Sequence, residues 1–321
     1  MTGYGYTLMT EQSGPRELVG YAGAAEAAGF DFEVISDHFF PWLDEMGHAP
    51  YAWGVLGAVT QATERVGLMT YVTCPTMRYH PAVVAQKAAT IGLLSEGRFL
   101  LGLGAGENLN EHVVGQGWPP VNVRHEMLLE AVEIIQALLA GGYVDYKGAH
   151  FRVDSAKVWD LPPEPVQIGV AVSGEQSIRV FAPLADHLIT VEPDAELIDG
   201  WAIANDNPSS RKIGQIPVCW GTDRNACVQR AHELFRWFGG GWKVNAELPG
   251  TDGFSGATQF VRDDDVAEAI PCGPDIDAIV KAVRQFEEAG FTDVALVQIG
   301  DESQRDFLQI AEKELLPALR G

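Results

Sequence analysis

A short β-branched or aromatic run, then a turn, then an amphipathic helical stretch: the chain repeats this order along its length. Such alternation asks for parallel strands covered on both faces, with helices as the crossovers. Strands are predicted over 4–8, 32–36, 66–73, 98–103, 166–172, 187–191, 212–219 and 293–299. Helices are predicted over 51–64, 82–94, 125–140, 176–184, 224–237 and 304–319, with an earlier one opening after Ser13. Ser13 is the expected N-cap of that first helix, Pro15 lies in its first turn, and Gly29 is its expected terminator. Eight strands in 321 residues predict an α/β fold of the (β/α)₈ TIM-barrel type. A doubly wound sheet is the rival, but the G-x-G-x-x-G turn that such a fold places after its first strand is missing. Two segments break the alternation. Residues 104–165 hold a helix and an expected hairpin over 143–153. Residues 239–265 are rich in Gly, Pro, Asp and Thr and show little periodicity. Long irregular loops in a compact domain usually serve function. Both segments are expected as insertions, the second over the C-terminal mouth of the barrel. Nothing reads as a linker, so residues 1–321 are expected to form one domain.

Composition narrows the function. The hydrophobic share of 46% supports a large core, and 21% charged residues is ordinary for a folded protein. The net charge of −22 argues against nucleic acid as a partner, because phosphate contacts need clustered Lys and Arg. No long uncharged apolar run suggests a membrane span, and the first residues lack the basic and apolar regions of a secretory signal. Cys74, Cys219, Cys227 and Cys272 are widely spaced and form no C-x-x-C pair. They are expected as buried thiols of a cytoplasmic protein, with no metal site and no disulfide framework.

In barrels of this kind, chemistry gathers where strands end and the loops to the helices begin. The run Ser36-Asp37-His38-Phe39-Phe40-Pro41-Trp42 falls at the end of the second predicted strand. Histidine is the side chain most easily tuned to accept a proton near neutrality, and the aromatics beside it suit a flat ring. The plainer alternative is a structural His bonded to backbone. After the fourth strand, Gly102 to Glu111 puts a glycine-rich turn before Glu107 and Asn110. Glycines such as Gly106 let the backbone approach a ligand closely, or simply turn tightly. Thr70 to Thr76 ends the third strand with mixed β-branched and hydroxyl residues. Ser173 and Gly174 precede a helix, where they either hold an anion or only cap the helix. Arg78 and His80 are open to the same two readings, ligand contact or solvated loop.

Taken in order, these segments resemble one family. Ser36 to Phe39 with Pro41-Trp42, Gly47-His48-Ala49-Pro50, Val72 to Thr76 with Arg78-Tyr79, Gly104 to Glu111, Val266 to Glu268 and Pro271 to Asp275 look like the deazaflavin-dependent glucose-6-phosphate dehydrogenase group of the bacterial-luciferase-like oxidoreductases. The likeness runs over nearly the whole chain. It implies a luciferase-like (β/α)₈ barrel with insertions, paired as a homodimer, that binds coenzyme F420. It implies His38 as the base for the substrate hydroxyl, Glu107 as the acid for the ring nitrogen, and Trp42 as the shield of the reacting centre. It further implies that Asp37, Tyr71, Val72, Thr73, Gly106, Asn110, Ser173 and Gly174 contact the cofactor, with a cis peptide at Tyr71–Val72.

One departure concerns substrate. The sugar-phosphate enzymes hold phosphate with Lys and Arg, whereas this chain reads Val191-Glu192-Pro193-Asp194 and Glu268-Ala269-Ile270 at those places. Lys243 and Arg262 are the cations left nearby in sequence. Carboxylates beside a desolvated dianion are costly, so an unphosphorylated alcohol or sugar is expected. Three alternatives stay open: the reverse reaction on a ketone or enone with reduced F420, an FMN-dependent monooxygenase, and a deazaflavin carrier that performs no reaction.

Overall fold

A computed structural model describes residues 2–321. Its strands are β1 (Gly3–Leu8), β2 (Phe32–Ile35), β3 (Gly67–Thr70), β4 (Phe99–Leu103), β5 (Gln167–Ala171), β6 (His187–Ile189), β7 (Lys212–Trp220) and β8 (Asp293–Gln298). Each pairs in parallel with the next, and β8 returns to β1, closing the eight into a (β/α)₈ barrel. Side chains alternate across each strand. Phe32, Val34, Met69, Leu100, Ile189, Ile213 and Ala295 fill the barrel interior. Their neighbours Ile35, Leu68, Leu101, Leu188 and Leu296 face outward and join the larger core under the helices. Most barrel strands are therefore apolar on both faces, as parallel sheets require, while β1 turns Gly3, Gly5 and Thr7 inward. No helix among the described residues is long and apolar enough to cross a membrane.

The predicted strands all exist, shortened by one to a few residues at their C-terminal ends in β2, β3, β5, β6 and β8. Those trimmed residues are where the chain leaves the ladder to form the mouth. The first helix, Pro15–Ala28, is capped by Gly14, whose position gives no side-chain bond. Ser13, expected as the cap, instead donates to Asp301 Oδ1 at 2.7 Å and pins the β1 loop to the β8 loop. Gly29 ends the helix in the left-handed region (φ 98°), as expected. Two helices escaped the sequence reading: Ala195–Ala204, capped by Asp194, and Ile276–Glu288, capped by Asp275. Their signals were present, an Asp cap in each and Ile279, Val283 and Phe286 on one buried face of the second. The C-terminal helix is not continuous. A π turn over Ala311–Leu315 separates Gln304–Ile310 from Leu316–Arg320. Pro317, which lacks a backbone donor, lies just beyond that turn.

Between β4 and β5 lie the long helix Val121–Leu139 and an antiparallel hairpin, Val144–Lys147 with Arg152–Ala156. The stretch 239–265 is built of short helices, Trp242–Asn245, Thr251–Ala257 and the start of Asp263–Ala269.

At the top of β3 and β4 the strands stop pairing by backbone alone. Thr70 Oγ1 donates to Gly102 O at 2.8 Å and accepts from Gly102 N at 3.0 Å. A Cβ on Gly102 would lie 2.0 Å from the Thr70 carbonyl oxygen. Gly102→Ala is therefore expected to cost about 3 kcal/mol by forcing the strands apart. A fall in the urea midpoint at unchanged slope checks this; a wild-type midpoint would mean that the strands part freely.

Candidate active site

The loops after β1 to β4 converge on His38. The ring is buried, at 8% exposure, and tilts against Trp42 with centroids 4.9 Å apart. His38 Nδ1 lies 3.0 Å from the Phe40 carbonyl oxygen. A carbonyl only accepts, so Nδ1 carries a hydrogen and Nε2 is the nitrogen free to gain or lose one. Both readings of this residue from the sequence thus meet in one side chain: one nitrogen bonds backbone, and the other faces the mouth. Nε2 stands 3.4 Å from Glu107 Oε2.

Burial disfavours a charged imidazole, yet the Glu11 and Glu107 carboxylates outweigh it, and the His38 pKa is raised. Burial also pushes the Glu107 carboxyl up, against the pull of His38 and of the Asn110 amide. Imidazolium with carboxylate, or imidazole with carboxylic acid, are two placements of one proton across this contact. Asn110 fixes the pair. Its amide nitrogen donates to Glu107 Oε2 at 2.7 Å, and its oxygen accepts from Phe39 N at 2.8 Å and Phe40 N at 3.2 Å.

Glu11 was not singled out from the sequence, although a carboxylate just past a barrel strand was signal enough. It is 1% exposed and lies 3.4 Å from His38 Nδ1. Trp42 Nε1 donates to it at 3.1 Å, Thr10 Oγ1 at 3.1 Å, and Ser36 Oγ also donates. One carboxylate therefore holds both the histidine and the tryptophan of the motif. Trp42 in turn stacks on Trp237, centroids 4.1 Å apart and planes at 11°, and meets the edge of Phe254 at 5.1 Å.

Behind His38 lies a second tier. Both oxygens of Asp37 are engaged by the chain itself: Trp53 Nε1 at 3.0 Å and Thr73 Oγ1 at 2.7 Å on one, Tyr79 OH at 3.1 Å and Arg78 at 3.3 Å on the other. Thr73 turns its hydroxyl to Asp37. Arg78 is neither a solvated nor an open residue. It is wedged between Asp37 and buried Glu111, whose oxygen accepts from Arg78 N at 2.7 Å. Burial pushes the Glu111 carboxyl up to about 7, against the pull of Arg78. His80 caps the helix Pro81–Leu94 by accepting from Ala82 N.

The Tyr71–Val72 peptide is cis. Tyr71, Val72 and Ala171 lie half-buried on top of the barrel's interior core. Gly104 packs so closely that a Cβ there would meet Val72 at 2.5 Å, and Gly106 (φ 88°) sits equally tight on Cys74. Together they leave a smooth apolar floor at the mouth, with His38 and Glu107 at its edge. Ser173 and Gly174 stand farther round, after β5. Ser173 is exposed; its backbone N–H donates to Ser177 Oγ at 3.3 Å, and the Ser177 hydroxyl donates to Gly174 O at 2.8 Å.

The two irregular segments meet over this mouth. Asn108 N donates to Ala246 O at 3.0 Å, and its amide donates to Glu247 O at 3.0 Å. The Glu247 carboxylate receives Arg124 at 2.8 Å and Trp118 at 2.9 Å. The residue next to Glu107 is thus tied directly to the 239–265 segment.

A closed parallel barrel with an acid–base pair and an apolar floor at its C-terminal mouth describes a cofactor-dependent oxidoreductase site. The luciferase-like monooxygenase family model matches residues 2–293, and the chain belongs to that family. The F420-dependent glucose-6-phosphate dehydrogenase of Nakamurella multipartita is 34% identical, over 99% of this chain and 96% of its own. A solved F420-dependent secondary alcohol dehydrogenase, bound to an F420–acetone adduct, superposes with a TM-score of 0.90 at 28% identity, covering 100% of this chain and 99% of its own. The F420-dependent tetrahydromethanopterin reductase of Methanopyrus kandleri shares the fold at a TM-score of 0.79 and 18% identity, covering 99% of each chain. These relatives agree with the likeness read from the motifs.

The carboxylate of Glu11 favours the imidazolium of His38, so Glu11→Gln is expected to lower the pKa of that ring. The imidazole titration followed by NMR should then move to lower pH. An unmoved midpoint would mean that Glu11 acts on Trp42 and Ser36 alone.

Proposed function

We propose that the protein is an F420-dependent oxidoreductase that moves a hydride between an alcohol carbon and the deazaflavin. The observation that carries this is the His38–Glu107 contact at the edge of the apolar floor. That floor fits a planar ring, since Tyr71, Val72 and Ala171 offer apolar surface and Gly104 projects no side chain over it. Gly106 and Asn110 border the ring, and Ser173 through its hydroxyl and Gly174 through its backbone N–H are offered to the anionic tail, the Ser173 N–H being taken by Ser177 Oγ at 3.3 Å. Asp37 and Thr73 act from below by fixing the loops that carry His38 and Val72. Bound there, F420 supplies the carbon that takes or gives the hydride.

The chain's own residues handle protons and position. His38 Nε2 takes the hydroxyl proton, which makes hydride loss from the carbinol carbon easier. Glu107, with its raised pKa, holds a proton for the ring nitrogen. Trp42, backed by Trp237 and Phe254, excludes water from the reacting carbon. The same groups serve reduction of a ketone or enone, because a shared proton crosses the His38–Glu107 contact in either direction.

The substrate in this reading is an unphosphorylated alcohol or sugar. Arg124, Arg236 and Arg262 on these loops are each held by a carboxylate, Glu247, Glu45 and Asp265. Asp194 is occupied as a helix cap and Glu192 is exposed beside it. Lys243 lies exposed on the lid. In the homodimer of this reading, the exposed Val83, Leu93 and Leu94 of the helix Pro81–Leu94 are offered as the paired face.

Titration with F420 and with FMN is the first test, followed by a screen of alcohols, sugars and sugar phosphates for bleaching of the F420 band. Tight F420 binding with bleaching by an unphosphorylated alcohol or sugar is expected. Binding of FMN alone would replace this reading with a monooxygenase, and bleaching only by sugar phosphates would remove the substrate argument. His38→Ala should keep F420 affinity and lose turnover by about 10²- to 10⁴-fold. Retained turnover would mean that another group takes the proton.

A further inference from the structure

The chain has four cysteines, and the fold gathers three of them, Cys219, Cys227 and Cys272, behind the tryptophan stack. Cys219, near the end of β7, pairs with Cys272 of the two-residue strand Cys272–Gly273, and Cys219 N donates to Pro271 O at 2.9 Å. Paired residues of adjacent parallel strands present their side chains on the same face. Neighbouring strands lie about 4.8 Å apart, within the Cα separation that a disulfide accepts. Cys227, in the helix Arg224–Phe235, puts its carbonyl oxygen 3.2 Å from Cys219 Sγ. Arg230 covers the group: its Nε lies 3.3 Å from Cys219 Sγ, and its terminal nitrogen lies 3.7 Å from Cys227 Sγ and 2.8 Å from Trp220 O. Cys219 and Cys227 are buried, whereas Cys272 is partly exposed. No set of three such ligands is arranged for a metal among the described residues. The cluster is three thiols under a guanidinium, of which Cys272 is the residue nearest the surface.

We propose that Cys272 is a modification site for hydroperoxides and that Cys219 resolves the product as a Cys219–Cys272 disulfide. The neighbouring Cys219 thiol, with Arg224 and Arg230, lowers the Cys272 pKa against burial and the Cys227 sulfur. A larger thiolate share is what peroxide chemistry needs. The Cys272 thiolate attacks one peroxide oxygen, the O–O bond breaks, and a sulfenic acid and hydroxide form. Hydroxide takes a proton from solvent. The Cys219 sulfur then attacks Cys272 Sγ, the S–O bond breaks, and water leaves with the Cys219 proton. The two sulfurs give up two electrons in all, and the peroxide oxygens receive them.

The bond closes at a telling place. Cys272 ends the return of the segment that carries Phe254, and Cys219 and Cys227 pack in the same apolar cluster as Trp42, Trp237 and Phe254. Oxidation staples that segment to the barrel wall behind the tryptophan stack.

The test treats native protein with hydrogen peroxide, then denatures, alkylates and digests it for mass spectrometry. Two of the four thiols should be lost, with the Cys219 and Cys272 peptides joined and both thiols restored by dithiothreitol. Cys272→Ser should prevent the loss. Cys74→Ser keeps all three clustered thiols and should still lose two, which serves if the first variant fails to fold. Persistence of all four thiols, a Cys272 sulfinic acid with Cys219 free, or a bond to another cysteine would each overturn the proposal. Thiol count and peptide mass need neither F420 nor substrate, so this outcome is separate from that of the hydride reading.

Discussion

Four carboxylates crowd one mouth of this barrel, and their desolvation is the constraint around which the site is arranged. Glu11, Asp37 and Glu111 are at most 3% exposed, and the Glu107 side chain is 15% exposed. A buried carboxylate is costly unless donors or a cation meet it. Asp37 receives an indole, a hydroxyl, a phenol and a guanidinium; Glu11 receives an indole and two hydroxyls. Glu107 and Glu111 have fewer donors, one oxygen of Glu111 has none, and both carboxyls are pushed upward. The supply of donors thus separates fully bonded carboxylates from sparsely bonded ones, and His38 lies between one of each. Proton transfer is poised there because Glu11 secures the back of the ring while Glu107 is left to share.

That arrangement depends on loops that brace one another. Glu11 from β1 ties to Ser36 and Trp42 from β2. Asp37 ties to Thr73 and Arg78 from β3, and Asn110 from β4 reaches back to the backbone of Phe39 and Phe40. A site spread over four strand ends gains its rigidity from these cross-links, since no single loop could hold the geometry. Trp42 extends the network to the segment above through Trp237 and Phe254. Glu247 closes it by joining Arg124 and Trp118 to the chain beside Glu107. In the proposed reading, water exclusion and acid placement are consequently coupled, because the 239–265 segment that backs Trp42 also bonds Asn108, the neighbour of Glu107.

The barrel was legible because most of its strands are apolar on both faces and punctuated by Gly, Pro and Asp at every crossover. The gathering of His38, Glu107 and Trp42 at the mouth was legible because each is chemically loaded and lies in the loop after a predicted strand. The mouth's second tier was not. Arg78 read as a loop residue because pairing with Asp37 and Glu111 exists only after three strands meet. Ser13 read as a helix cap because its true partner, Asp301, lies at the far end of the chain. The thiol cluster was invisible for the same reason, as Cys219 and Cys272 are neighbours only through strand pairing. Local pattern reports what a residue does to its own element, and these residues serve contacts between elements.

Charge poses a last problem for a chain of net charge −22 that is read as holding an anionic cofactor. The global field matters less than the total suggests, because charges beyond about 8 Å are largely screened at physiological ionic strength. What an anion meets at contact range is decisive. The buried carboxylates nearest the mouth are met by donors or pushed toward their neutral forms. The exposed ones, such as Glu192, face solvent where screening is strongest. In the proposed reading, the Gly174 N–H and the Ser173 hydroxyl supply donors without adding a cation that the neighbouring acids would capture. Arginine would be a poor choice here, since those on these loops are already claimed by carboxylates. In that reading an acidic protein therefore holds an anion with neutral dipoles, and the same reasoning underlies the expectation of an unphosphorylated substrate.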